Sequence, residues 1–183
     1  MSGHSKWAQI KHRKAATDAK KGKIFSKLSR AVTLAAKDPP AGGGRDPKIN
    51  HKLAGAIEEA KKANMPSDNI ERAIAKASAK DGVELKEVLY EVYGPGGSAI
   101  IITAVTDNSN RTTNEIKHLL SELGAKLGEH GSAMWAFNKD GKEFTAKFPA
   151  QLSGDDIQKF EELLSALDDQ EDVQDVYSNA ETP

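Results

Sequence analysis

The chain contains no cysteine. Disulfides and thiolate metal sites are therefore excluded, and a reducing compartment is allowed. Aromatic residues are scarce: five Phe, three Tyr and two Trp in 183 residues. A core must be built mainly from aliphatic side chains. No apolar run approaches the ~20 residues of a membrane span. The N-terminus lacks the apolar stretch of a secretory signal, and Gly3, His4 and Trp7 do not form the amphipathic Arg/Ser pattern of a transit peptide. These absences predict a cytoplasmic protein with no membrane association.

Catalytic signatures are missing as well. There is no Gly-x-Ser-x-Gly elbow. The histidines stand at 4, 12, 51, 118 and 130, with no pair at the spacing of a helical metal site. The glycine-rich stretches Gly42–Arg45 and Gly94–Gly97 lack the Walker spacing. Adjacent carboxylates such as Asp155-Asp156 and Glu161-Glu162 do not face each other on a helix, so they form a solvated acidic face. The expectation is no catalytic residue, no metal, no cofactor and no enzymatic activity.

What the chain does have is charge, sorted by position. Residues 1–80 hold 18 Lys and Arg against 7 Asp and Glu, a net of +11, whereas residues 81–183 hold 8 against 20, a net of −12. The overall charge of −1 hides this division. Two regions follow: a basic one over 1–80 with an N-terminal arm, and an acidic one over 81–183. The positive charge peaks between Lys6 and Arg30. There Lys6, Lys11, Arg13, Lys14, Lys20, Lys21, Lys23, Lys27 and Arg30 face a single acid, Asp18. Trp7 and His12 lie inside the run. A dense basic segment with an interleaved aromatic is the electrostatic footprint of a nucleic-acid contact. If about five of these cations met duplex phosphates, log K would fall with log salt at a slope near ~−4 to −5. No base-reading pattern is visible, so backbone or shape recognition is expected, with Trp7 free to stack on an exposed base. A charge run that is merely solvated is the alternative.

Periodicity predicts helices over 17–37, from Asp46-Pro47 to about Asn64, and on to about Ser78. The first would carry Lys20, Lys23, Lys27 and Arg30 along one side. Beyond the Lys80-Asp81-Gly82 boundary the pattern changes. Strands are expected at 88–93, 99–105, 132–137, 143–148 and 173–177, with helices over 111–123 and from Asp155 onward. From Ala99 the order is strand, helix, strand, strand, helix, strand, which is ferredoxin-like, with one extra strand in front. The fold class is α and α+β: a three-helix region followed by this lobe. Asn110 and Arg111, at a helix N-terminus after a buried strand, make a possible anion site, although the reading of Asp107, Asn108 and Asn110 as simple caps is the favoured one.

Several stretches resemble the YebC/PmpR family: Gly3–Trp7 (GHSKW), Gly42–Asn50 (GGGRDPKIN), Ala60–Ile74 (AKKANMPSDNIERAI), Tyr90–Ile102 (YEVYGPGGSAIII), Thr106–Thr112 (TDNSNRT) and Leu163–Asn179 (LLSALDDQEDVQDVYSN). That family includes the mitochondrial translational activator of cytochrome c oxidase subunit I. The resemblance implies a helical N-terminal domain, α+β lobes and no enzymatic activity. It also implies either a DNA-binding transcriptional regulator or a ribosome-associated factor for translation through difficult stretches. Its basic first motif becomes the expected nucleic-acid surface, with DNA or ribosomal RNA, and through it the ribosome, as partner. Family members are longer, with an α/β lobe inserted after the strand matching 132–137, and they tend to carry a basic residue where Ser109 stands here. A third reading is a scaffold whose acidic lobe docks a basic protein.

Overall fold

The computed structural model describes residues 18–37, 45–78 and 84–181. They fall into two compact units. One holds the helices up to Lys86 together with Val105–Asn108. The other holds Glu87–Ala104 and the chain from Ser109 onward. The α and α+β class is the one expected.

The helical unit contains α1 (Asp18–Lys37), α2 (His51–Lys62) and α3 (Ser67–Lys76). Val32, Ala36, Leu53, Ala60, Met65, Ile70 and Ala73 form its core, with Phe25, Leu28, Ile57 and Ile74 packed around them. Small residues facing inward bring the helix backbones close enough for side chains to bond across. Thr33 Oγ1 donates to the Ala73 carbonyl at 2.9 Å, tying α1 to α3. Asn50 is fully buried and ties α1 to α2: its Oδ1 accepts from Leu53 N–H at 3.0 Å, and its Nδ2 donates to the Ala35 carbonyl at 2.9 Å. Asp46 was the expected cap of α2, but it closes the preceding turn, where Asn50 N–H bonds its carbonyl at 2.8 Å. The helix begins one turn later because Asn50 can serve as cap and cross-link together. Asn64 ends the helix in the left-handed region, φ 59°, which asparagine tolerates.

The second unit is built on a four-stranded sheet of β1 (Lys86–Tyr93), β2 (Ala99–Thr106), β3 (Lys126–Leu127) and β7 (Val173–Ser178), in the order β3-β1-β2-β7. Helices α4 (Ser109–Glu122) and α5 (Asp155–Asp169) contribute Ile116, Leu120, Phe160, Leu163, Leu164 and Leu167 to one core. Ile100, Ile102 and Ala104 face that core, while Ala99 and Ile101 join a second one with Ala133, Ala136, Phe137 and Phe144. Burial on both faces explains the near-continuous apolar run of β2, interrupted only by Thr103 before Thr106 ends the strand.

Two expectations for this unit need correcting. The segment 132–137 is not a strand throughout: Met134–Ala136 is a single 3₁₀ turn, and β4 (Phe137–Asp140) starts only after it. The hairpin of β4 with β5 (Glu143–Ala146) is a separate two-stranded sheet. The strand next to β1 is instead the two-residue β3, paired Val92 with Leu127 and Tyr93 with Lys126. A short parallel pair, β6 (Ala150–Gln151) with β8 (Ala180–Glu181), completes the unit.

Candidate nucleic-acid interface

The basic run enters the described structure on α1. Lys20, Lys21 and Lys23 are exposed, and Arg30 is half-buried. Lys27 differs from expectation. Its spacing puts it on the Lys20 and Lys23 side, but only 7 % of it is exposed, and it has an interaction partner. Burial takes the Lys27 ammonium out of the exposed set, which leaves Lys20 and Lys23 on that side and Lys21 exposed beside them in sequence. Lys21, Lys23 and Arg30 also have interactions within the chain. Lys6, Trp7, Lys11, His12, Arg13 and Lys14 lie outside the described residues.

The opposite side of α1 is what fixes the stripe. Leu28, Val32 and Ala36 face the helical core, and the Thr33 and Asn50 bonds lock the rotation of the helix. The unit also presents exposed cations that the sequence reading did not single out: Arg45 and Lys48 before α2, and Lys52 in its first turn. Lys62 is engaged by Glu58 at 3.1 Å and Glu59 at 2.9 Å, and Lys52 too has an interaction partner. The excess charge that drew attention to Lys6–Arg30 gave no reason to pick isolated cations elsewhere.

The possible anion site at the start of α4 has its arginine occupied. Arg111 Nη2 lies 3.0 Å from Asp172 Oδ2, and the same oxygen accepts from Thr112 Oγ1 at 2.6 Å. Asp172 is 2 % exposed. An incoming anion would have to displace a buried carboxylate from its partners. Asn110 is exposed on the first turn of α4. The acidic residues of α5 keep to the expected pattern: Asp155, Glu161 and Glu162 are exposed, and Phe160, Leu163 and Leu164 are inward. Among the described residues no group of three His, Cys, Asp or Glu could hold a metal ion, and no helix is long and apolar enough to cross a membrane.

Sequence reading missed Glu91. It sits on β1 between Tyr90 and Val92, which face the helix-side core, so its side chain points to the other face. It is 4 % exposed. Its carboxylate accepts backbone N–H groups from Gly131 at 2.6 Å, Ala133 at 2.7 Å and Met134 at 2.8 Å, and His130 Nδ1 lies 3.4 Å away. Burial pushes its pKa up, but the three N–H donors and His130 outweigh burial and hold the carboxyl below its ordinary 4.5. This node curls 131–134 away from a ladder, which is why no full strand forms there. An acid amid strand residues was the available signal.

Comparison with known proteins agrees with this architecture. Residues 5–80 match the family model described as the TACO1/YebC protein N-terminal domain, and residues 85–147 match the TACO1/YebC second and third domain. The chain belongs to the TACO1/YebC family, the YebC/PmpR family of the sequence motifs. It is 39 % identical to a probable transcriptional regulatory protein of Pseudothermotoga lettingae, over 99 % of this chain and 94 % of that one. A protein of the same name from Dictyoglomus thermophilum is 54 % identical over 80 % of this chain and 58 % of its own length. The crystal structure of a conserved hypothetical protein from Aquifex aeolicus superposes with a TM-score of 0.85 at 34 % identity, covering 98 % of both chains. The Pseudothermotoga alignment runs over 242 positions against the 183 residues here, so that relative carries sequence this chain lacks.

Proposed function

We propose that this protein is a cytoplasmic, non-enzymatic regulator of gene expression that binds nucleic acid through its basic N-terminal region. The observation that carries the reading is the pair Lys20 and Lys23, exposed on the side of α1 turned away from its core, with Lys21 also exposed in the same first turns of the helix. They continue a run of nine cations against one acid between Lys6 and Arg30. Lysines on a fixed helix face meet a phosphate backbone without reading bases. The names of the relatives, probable transcriptional regulatory proteins, favour duplex DNA and transcription as the setting.

Selection from random duplex DNA at physiological salt tests the transcriptional reading. A regulator of promoters enriches a sequence; a pool that stays random contradicts it. The same lysines suit ribosomal RNA, the polyanion of a translation factor. In that case the protein sediments with ribosomes, and exchanging Lys11, Arg13, Lys14 and Lys20 for Glu releases it. Capture of a basic protein by the acidic α5 face, with no nucleic acid bound, would instead favour a scaffold.

A further inference from the structure

The second unit carries an exposed aromatic pair that its fold does not require. Trp135 is 59 % exposed and Phe148 is 49 % exposed, with ring centroids 5.8 Å apart and planes tilted by 36°. Both are held firmly. The Trp135 indole N–H donates to the Ser132 carbonyl at 2.9 Å. The backbone at Phe148 is fixed by Lys147 N–H to the Ala136 carbonyl at 2.8 Å and by Asn179 Nδ2 to the Phe148 carbonyl at 2.6 Å. With its single polar atom satisfied inside the chain, the indole offers solvent a ring face and little else.

The surroundings say what that face suits. Lys147 Nζ stands 5.2 Å from the Phe148 ring centroid. Lys139 on the hairpin is exposed, with its Nζ 5.7 Å from the Phe144 ring centroid rather than at this pair, and Lys142 is paired with Glu87 at 3.2 Å. Asp140 and Glu143 at the hairpin end are the acids nearby in sequence. Three of the eight basic residues in 81–183 thus fall within this short hairpin segment, in a region of net charge −12. Two rings alone are a small apolar patch for a protein partner. Rings beside ammonium groups match unpaired bases on a phosphate chain, because stacking is available to every base and lysines follow the backbone.

We propose that Trp135 and Phe148, with Lys147, form a contact for single-stranded nucleic acid. The residues are separate from the lysines of α1, so the two interactions can fail independently.

The test measures affinity on the full wild-type chain and uses Trp7→Phe, which leaves Trp135 as the only tryptophan, for the emission readout alone. Labelled oligo(U), oligo(dT) and a duplex are titrated by anisotropy while tryptophan emission is followed. Saturable quenching by a single strand is expected, with Trp135→Ala weakening that affinity about five-fold or more. Trp135→Phe should retain most of it, and Lys147→Gln should weaken it less than Trp135→Ala does. Preference between oligo(U) and oligo(dT) identifies RNA or DNA as the source. Single strands that bind without quenching, with Trp135→Ala unchanged, overturn the inference and leave the α1 reading intact. Binding of the duplex alone does the same. Failure of every oligonucleotide to bind overturns both.

Discussion

Glu91 shows how one side chain can decide the path of a loop. Three buried or half-buried N–H groups converge on its carboxylate, and each would otherwise lack that charged acceptor. Glu91→Gln places an amide donor where only acceptance is useful, at a cost of about 1–3 kcal/mol in urea unfolding at neutral pH. The folded pKa is the depressed one. Its contribution to stability is therefore complete above the unfolded value and is lost as pH falls through the folded value. The gap between wild type and Glu91→Gln should narrow as the pH drops below 4.5. A gap independent of pH would show that the carboxylate charge is not what holds the loop. Gly96 offers a second test at this scale. Its φ is +63°, and an added Cβ would lie 2.5 Å from Leu152 Cδ2, whereas Gly97 at φ +75° has open space. Gly96→Ala should lower the thermal midpoint clearly more than Gly97→Ala, since both share the backbone strain and only the first adds a clash. Equal shifts would contradict the close approach.

At the scale of elements, Asn50 joins two helices with one amide. Asn50→Ala removes the α2 cap and the bond to Ala35 together, and should cost about 1–2 kcal/mol or somewhat more in chemical denaturation. Asn50→Asp keeps an acceptor for Leu53 N–H but loses the donor to Ala35, so it should fall between wild type and Asn50→Ala. Asn50→Asp as stable as the wild type would mean that the cross-link adds nothing. Elements with a clear period were the legible ones. The inward stripes of α4 and α5 and the apolar run of β2 could be read directly, because burial on one or both faces writes itself into residue type. What stayed hidden depended on partners distant in sequence. The segment 132–137 alternates like a strand, yet Glu91, some forty residues earlier, draws its N–H groups into a turn. The two-residue strand β3 is too short for any period to show. Arg111 read as a possible anion ligand because Asp172 lies 61 residues away. Lys27 obeyed the spacing of an exposed stripe, and spacing alone does not reveal what covers a residue.

For the whole molecule, the division of charge ties sequence to function. A net of +11 over 1–80 and −12 over 81–183 favours the basic region for the nucleic acid of the proposed function, and on that reading long-range attraction to it should weaken with salt. Family membership sets the same expectation from another direction, since the N-terminal family domain at residues 5–80 covers that basic region. The relative's longer alignment adds a constraint: any role this chain has must be carried without the extra sequence.

The most direct test of the central claim is the salt dependence of affinity for a fluorescent DNA duplex, compared between the wild type and a variant with Lys20, Lys21 and Lys23 all changed to Gln. Each phosphate contact contributes about 0.9 to the slope of log K against log salt. The stripe on α1 predicts weaker binding and a slope shallower by about 2–3 in the variant. An unchanged affinity and slope would show that these lysines do not face the nucleic acid.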